Sequence, residues 1–173
     1  MNKKKILITG LPRSGKSTLL HKLIKNMKNK QGFLTLEIQE NGQRNGFQLI
    51  TAMGTKSILA STTIKSSHMV SKYGVDIESL ENLLPEVEAF TKEDVLYIDE
   101  IGQMELLSEN FRLLVEKYLN AENLFIGTIS KIYDDEFTRS LLSRNDVEII
   151  EVNVENRRGV YKHLLSLIKE DSN

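Results

Sequence analysis

An eight-residue phosphate-loop pattern near the amino terminus constrains the fold more than any other feature of this sequence. Residues 10–17 read G-L-P-R-S-G-K-S, which fits G-x-x-x-x-G-K-[ST] at every fixed position. The apolar run Ile6–Ile8 before it predicts a buried strand, and apolar residues at helical spacing from Leu20 to Met27 predict a helix after it. A strand, this loop and a helix in that order predict a site that binds the phosphates of a nucleotide.

The fixed positions of the loop have defined chemical tasks. Gly10 and Gly15 let the backbone N–H groups turn inward around a phosphate, where a side chain would obstruct them. Lys16 can reach the β- and γ-phosphates, and the Ser17 hydroxyl can ligate Mg²⁺. The residues predicted to contact the nucleotide in this segment are Gly10, Leu11, Pro12, Arg13, Ser14, Gly15, Lys16, Ser17 and Thr18.

The composition is that of an ordinary globular protein, and 173 residues suggest one domain over 1–173. With 23 Lys and Arg against 24 Asp and Glu, the charge gives no reason to expect binding to nucleic acid or to an anionic membrane. The absence of cysteine excludes disulfides and thiolate metal sites. No run approaches the ~20 apolar residues of a membrane span, so we expect a cytoplasmic protein, acting as a monomer.

Helical and strand-like segments alternate along most of the chain, which predicts an α/β fold whose mostly parallel sheet has helices on both faces. After the first helix, Asn41-Gly42 between two alternating runs predicts a hairpin, and hence an antiparallel excursion of two or three strands. Residues 61–75 show no period and are interpreted as an irregular connection. We expect Gly32 to follow the end of the first helix, and Pro85 to disturb or end a later one.

A second chemical feature is the pair Asp99-Glu100 at the end of the apolar run from Val95 to Ile98. In phosphate-loop proteins an acidic residue at the end of such a strand faces the Mg²⁺ that the loop hydroxyl holds, and Asp99 fits that role. Glu100 follows where the chain opens towards the γ-phosphate, and a carboxylate there can orient or deprotonate an attacking water.

Other nucleotide chemistries share this loop. A GTP-dependent switch is weakly supported, because D-x-x-G at Asp99–Gly102 has no N-K-x-D partner; the nearest segment, at 130–133, is S-K-I-Y. A small-molecule kinase stays open, with Glu100 as base towards an acceptor hydroxyl and the segment around Arg139 and Arg144 as a lid. A regulatory module with slow hydrolysis also stays open, with residues 61–75 as its switch.

A more specific resemblance comes from segments that keep one order along nearly the whole chain. Together they resemble the small nucleoside-triphosphatase family that includes the human cancer-related nucleoside-triphosphatase and its relatives in thermophiles. The stretches D-E-I-G-x-M-E-L and G-x-R-x-G-F are more specific than the phosphate loop, which many families share. The matching segments are Gly10–Thr18, Gly32–Ile38, Gly42–Phe47, Lys72–Asp76, Ile98–Leu106, Gly127–Ile129 and Val154–Arg157.

This resemblance implies a compact P-loop fold, a three-layer sandwich, and Mg²⁺-dependent hydrolysis of nucleoside triphosphates to diphosphate and phosphate. It implies tolerance for the base, so that ATP, GTP, CTP and UTP are all substrates. By position, Lys16 matches the phosphate-binding lysine and Ser17 the Mg²⁺ hydroxyl. Asp99 matches the aspartate of the Mg²⁺ site, and Glu100 matches the glutamate that activates water.

Three further residues are assigned by the same resemblance. Arg44 matches an arginine that can approach the phosphates, and a hydrolase needs positive charge there. Asn156 and Arg157 match a segment after the last strand that commonly contacts the base.

The sequence departs from the family in two places: Arg13 stands where the family usually has Gly, and Leu36-Glu37 where it often has two glutamates. Other polar residues have plainer interpretations. We interpret Glu105 as exposed and Thr128 as a buried threonine. The histidines lack ligand spacing, so no metal site is assigned to His21, His68 or His163.

Overall fold

The computed structural model describes residues 3–171, and its strands form a single nine-stranded sheet. The strands are β1 (Lys5–Thr9), β2 (Lys30–Glu40), β3 (Gln43–Thr51), β4 (Lys56–Ser61), β5 (Met69–Val70), β6 (Tyr73–Val75), β7 (Val95–Ile101), β8 (Phe125–Ile129) and β9 (Val147–Glu151). Their order across the sheet is β5-β6-β4-β3-β2-β7-β8-β1-β9.

Helices cover both faces of the sheet, as the sequence predicts. They are α1 (Lys16–Ile24), α2 (Ile77–Glu88), α3 (Glu109–Asn120), α4 (Glu136–Leu142) and α5 (Arg157–Asp171), with a 3₁₀ turn at Glu105–Leu107. On one face α2 and α3 pack over side chains such as Phe33 and Ile98, and on the other α1 and α5 pack over Ile6 and Ile126. The three-layer α/β prediction is confirmed. None of the helices within residues 3–171 is long and apolar enough to cross a membrane.

Five neighbouring strands, β2, β7, β8, β1 and β9, run parallel. In β1 every residue is buried, and in β7 every residue except Glu100, as expected for strands with helices on both sides. The carboxyl ends of parallel strands meet at one edge of the sheet, where α/β proteins bind ligands. This topology brings the loop after β1 to the same edge as Asp99 and Glu100 of β7.

The antiparallel excursion after the first helix is confirmed, and it is longer than predicted. The two-residue turn Asn41-Gly42, with φ of 52° and 75°, joins β2 to β3, and β4 pairs with β3. Within 61–75 the interpretation as an irregular connection is wrong, because β5 and β6 continue the sheet there. Strands of two and three residues are too short to produce a detectable period.

The helix end predicted at Gly32 is wrong, and Pro85 does not end its helix. Gly32 lies inside β2, where a Cβ would stand 1.8 Å from the carbonyl oxygen of Tyr97, so glycine permits close pairing with β7. Pro85 lies inside α2, which continues to Glu88. Buried Leu84 and Val87 on either side of the proline anchor the helix despite its missing N–H.

Candidate nucleotide-binding site

The loop between β1 and α1 contains two glycines, and a side chain at either position would disrupt the conformation of the loop. A Cβ on Gly10 would lie 2.6 Å from both Ser14 Oγ and the carbonyl oxygen of Val152. Gly15, immediately before α1, has a left-handed φ of 95°. These positions let the chain curl tightly at the amino end of α1, where backbone N–H groups and the helix dipole favour an anion.

One side chain inside the loop has no partner. Ser14 is buried. Among the side-chain oxygens and nitrogens that are buried within residues 3–171, its Oγ is the one that has no hydrogen-bond partner. Buried hydroxyls are normally satisfied, so an orphan one facing a curled loop indicates space for a polar ligand. An anion in the loop would give Ser14 its acceptor.

Asp99 is fixed from both sides at the end of β7. Its side chain is 1% exposed; Ser17 and Thr128 donate to Oδ1 from 2.8 and 2.6 Å, and His21 Nε2 lies 2.7 Å from Oδ2. Thr128 is buried, as predicted, and its hydroxyl supports Asp99. The contact with His21 is not predicted by the sequence analysis, although four-residue spacing from Ser17 puts both on one side of α1.

These groups fit a magnesium ion shared with a nucleotide. The Ser17 hydroxyl and the Asp99 carboxylate are hard oxygen ligands, the kind that Mg²⁺ prefers. Within residues 3–171 no group of three or more His, Cys, Asp and Glu could hold a metal by itself. Two protein ligands completed by phosphate oxygens and water are the usual arrangement for Mg²⁺ at a phosphate site.

Glu100 lies beside the loop lysine. Lys16 Nζ is 3.9 Å from Glu100 Oε2, and the Glu100 side chain is 34% exposed, so solvent reaches it. Burial raises the pKa of the Glu100 carboxyl above its ordinary value; Lys16 opposes the rise and Asp99 adds to it. The result is a solvent-accessible carboxylate with increased proton affinity next to the predicted position of the γ-phosphate.

Glu105 is the residue whose environment differs most from its predicted one. The interpretation as exposed is wrong: the residue is 4% exposed, and its carboxyl lies near that of Glu100, on either side of Gly102. Burial raises the pKa of Glu105 to about 8, and the Glu100 charge adds to the effect. A glutamate is ordinarily exposed, so the residue type predicts a surface position although its neighbours Met104 and Leu106 are apolar.

Arg44 is not brought together with Lys16 and Glu100. Its guanidinium donates to Glu37 at 2.8 Å and to the Tyr73 hydroxyl at 3.2 Å, which raises the Arg44 pKa. In the sheet Arg44 pairs with Gln39 of β2, whereas Asp99 pairs with Leu34 of the same strand. Gln39 is five residues further along β2, which is about 16 Å at ~3.3 Å per residue. A phosphate role for Arg44 stays a prediction.

The two residues predicted near the base lie in different environments. Asn156 stabilises its own loop: its amide nitrogen donates to Glu151 O at 2.8 Å, and its amide oxygen accepts from Asn153 N at 2.9 Å. Arg157 reaches the phosphate loop, since a Cβ on Gly15 would lie 3.5 Å from Arg157 Nη1. The structure therefore groups Arg157 with the loop.

The arginines considered for a kinase lid are engaged at the surface. Arg139 in α4 pairs with Asp134 at 2.9 Å, and Arg144 pairs with Asp146 at 2.6 Å. Neither contact places an arginine beside Lys16.

Comparison with known proteins finds matches over nearly the whole chain. A family model described as NTPase matches residues 5–165. The nucleoside-triphosphatase THEP1 of Thermotoga maritima is 44% identical over 167 residues, which cover 95% of either chain. The crystal structure of THEP1 from Aquifex aeolicus superposes with a TM-score of 0.86 and 33% identity, over 95% of this chain and 99% of that one. The solution structure of a human cancer-related nucleoside triphosphatase gives 0.82 and 30%, over 96% and 98%.

Proposed function

The chain belongs to the NTPase family, and from this premise we propose that it hydrolyses nucleoside triphosphates to nucleoside diphosphate and phosphate with Mg²⁺ as cofactor. The observation that carries the proposal is the 3.9 Å approach of Lys16 Nζ to the accessible Glu100 carboxylate. A phosphate-binding cation next to a solvent-accessible carboxylate base supports water attack on a γ-phosphate. Relatives named as nucleoside-triphosphatases support the same reaction.

In the proposed reaction each residue of the loop and of β7 has one task. The loop from Gly10 to Thr18 binds the phosphates through backbone N–H groups, and Lys16 contacts the β- and γ-phosphates. Ser17 and Asp99 would hold Mg²⁺, which when bound neutralises charge on the phosphates. Since His21 and Thr128 fix the Asp99 carboxylate, little reorganisation is needed when the ion arrives.

Glu100 acts on the water. Its carboxylate accepts a proton while the water oxygen bonds to the γ-phosphorus, and the bond from that phosphorus to the bridging oxygen breaks. The bridging oxygen leaves with the diphosphate, and the proton on Glu100 returns to solvent. The raised pKa of Glu100 favours this proton transfer relative to an ordinary carboxylate.

We propose broad base tolerance for a structural reason. The polar atoms of Asn156 are bonded within its own loop, so they have little capacity left to read donor and acceptor patterns on a base. Arg157 near Gly15 can contact phosphate or the face of any base. The assignment to one domain, the cytoplasmic location and the monomeric state stay predictions from the sequence.

The test is phosphate release from ATP, GTP, CTP and UTP, with Mg²⁺ and with excess chelator. We expect diphosphate and phosphate in equal amounts from all four, and loss of release when the chelator is present. Tight nucleotide binding with no release from any of them would reject hydrolysis and favour the kinase, and a screen of acceptor hydroxyls would follow.

A further inference from the structure

Glu105 is a buried carboxyl group next to the proposed base, and the reaction described above gives it no task. It opens the 3₁₀ turn after β7 and is 4% exposed. Among residues 3–171 no Lys, Arg or His forms a salt bridge with Glu105; the nearby cations Lys16 and Arg112 pair with other carboxylates. A buried carboxylate without a cation is costly, so burial favours its neutral, protonated form.

The hydroxyl of Thr35 gives Glu105 little support as a charged group. Thr35 has one hydroxyl hydrogen, and its Oγ1 lies 2.5 Å from the carbonyl oxygen of Asp99, which can only accept. The same Oγ1 lies 3.4 Å from Glu105 Oε1. Because this hydrogen is donated to Asp99, the longer contact of 3.4 Å gives an ionised Glu105 carboxylate little stabilisation.

The other oxygen of Glu105 faces Glu100 across Gly102. A Cβ on Gly102 would lie 2.8 Å from Glu100 Oε1 and 3.2 Å from Glu105 Oε2. Two carboxyl groups therefore converge on one point, and the missing side chain of Gly102 makes room for them. When two carboxyls share a site, their proton affinities separate, and one stays protonated while the other is ionised.

The charged groups on the neighbouring elements do not change this assignment. β7 contributes Asp99 and Glu100, both negative, and Lys16 of α1 contacts Glu100. Glu81 of α2 accepts a hydrogen bond from the Ser108 hydroxyl. From α3 come Glu109, which points to solvent, and Arg112, which is bonded to Leu106 O and Asp135.

We propose that Glu105 is a positioning residue that stays a neutral carboxylic acid in the working enzyme, so that Glu100 is the only charged carboxylate facing the attacking water. This inference rests on the proposed hydrolysis. Ionised Glu105 would repel Glu100 from its position and would add a second negative charge beside the anionic phosphates. Turnover should therefore fall when Glu105 loses its proton.

The charge state is tested without any catalysis. Protein labelled with ¹³C at the glutamate side-chain carboxyls is titrated by NMR as wild type, Glu105→Gln and Glu109→Gln. Because the pKa of Glu105 is about 8, one carboxyl should titrate near that pH in the wild type and in Glu109→Gln, and be missing in Glu105→Gln. If every glutamate finishes titrating below about pH 6, as ordinary carboxyls do, the proposal is overturned.

The positioning role is tested by the ratio of turnover at pH 7 to turnover at pH 9, taken within each variant. One ionisation near pH 8 should reduce wild-type turnover about tenfold over this interval, and Glu109→Gln should do the same. Glu105→Gln and the apolar Glu105→Leu cannot ionise and should show a ratio near one. A tenfold loss that persists in both would overturn the role.

The two tests separate this inference from the proposed function. If the wild type releases no phosphate from any nucleotide, hydrolysis is rejected while the NMR titration still decides whether Glu105 is neutral. If release is normal and no carboxyl titrates near pH 8, hydrolysis stands and the role of Glu105 is rejected.

Discussion

His21 Nε2 lies 2.7 Å from Asp99 Oδ2, on the opposite side of the carboxylate from the Ser17 and Thr128 hydroxyls. The Asp99 carboxylate is therefore held at Oδ1 by α1 and the neighbouring strand β8, and at Oδ2 by α1 alone. Partners of this kind orient a metal ligand, and their loss typically weakens metal affinity by about 10–100-fold.

We expect His21→Phe to weaken Mg²⁺ binding by about tenfold, since the ring fills the space without contacting Asp99 by a hydrogen bond. The measurement is the affinity for Mn²⁺, taken from its electron paramagnetic resonance signal in the presence of a non-hydrolysable nucleotide. The control is His163→Phe, because His163 lies at the surface of α5 and its ring contacts Glu148 at 3.4 Å. Equal Mn²⁺ affinity in wild type and His21→Phe would show that the contact has no role in metal binding.

Lys16→Ala should reduce affinity or turnover for ATP, GTP, CTP and UTP by the same factor. In the proposed reaction Lys16 contacts the phosphates, which all four nucleotides share. Binding of each nucleotide and phosphate release at saturation are measured in parallel. A loss restricted to one base would place Lys16 in base recognition and contradict its assignment.

Arg13 departs from the family glycine and adopts a left-handed conformation, with φ of 65°. A residue with a Cβ is strained there by roughly 1–2 kcal/mol, and the greater freedom of glycine in the unfolded chain offsets part of this. Arg13→Gly should therefore increase the free energy of unfolding by up to about 1 kcal/mol in urea titrations.

Arg13→Ala is the matched control, because it removes the guanidinium and keeps the Cβ. Its free energy of unfolding should not show the increase that is expected for Arg13→Gly. If the guanidinium contacts phosphate, both variants lose nucleotide affinity to a similar extent; if only Arg13→Gly changes affinity, the backbone and not the charge determines binding.

The burial of Glu105 also predicts how stability depends on pH. Its pKa is raised from 4.5 to about 8 in the folded protein, so between these values the folded state keeps a proton that the unfolded state loses. This lowers the free energy of unfolding as pH rises, by up to about 1.4 kcal/mol per pH unit. Above about pH 8 both states have lost the proton, and the decline from this group stops.

Glu105→Gln removes this dependence, so its stability relative to wild type should increase from pH 5 to pH 8 and then level off. Urea unfolding at pH 5.5, 7, 8 and 9 measures the difference. Glu109, whose side chain is 88% exposed, provides the control: Glu109→Gln should track the wild type at every pH. A constant difference between Glu105→Gln and wild type would mean that Glu105 titrates normally.

The sequence predicts the parts of this molecule whose signals are local. The phosphate loop is recognisable because its spacing reflects backbone geometry, and Asn41-Gly42 because only certain residues accept left-handed turns. Asp76 and Ser108 follow the same logic, because short polar side chains favour the position before a helix, and both accept a backbone N–H there. Apolar periodicity similarly predicts which faces of α2 and α3 are buried.

What the sequence does not predict depends on contacts between distant segments. Glu105 is buried because the turn that it opens packs against β7, α2 and α3, which are distant from it in the chain or belong to other layers of the fold. Gly32 resembles a helix end until the position of Tyr97 on the neighbouring strand is known. Arg44 matches a family pattern, whereas its observed partners, Glu37 and Tyr73, are set by the pairing of β2 with β3 and by the placement of β6.

The central claim is that Glu100 activates water and does not bind the nucleotide. Glu100→Gln keeps the size of the side chain and removes its basicity, so nucleotide affinity should stay within about threefold of wild type while turnover falls by about 10²–10⁴-fold, the usual contribution of a general base. Phosphate release and equilibrium binding of ATP and GTP are measured on the same preparations, with Glu109→Gln as control. Turnover of Glu100→Gln equal to that of wild type would contradict the claim.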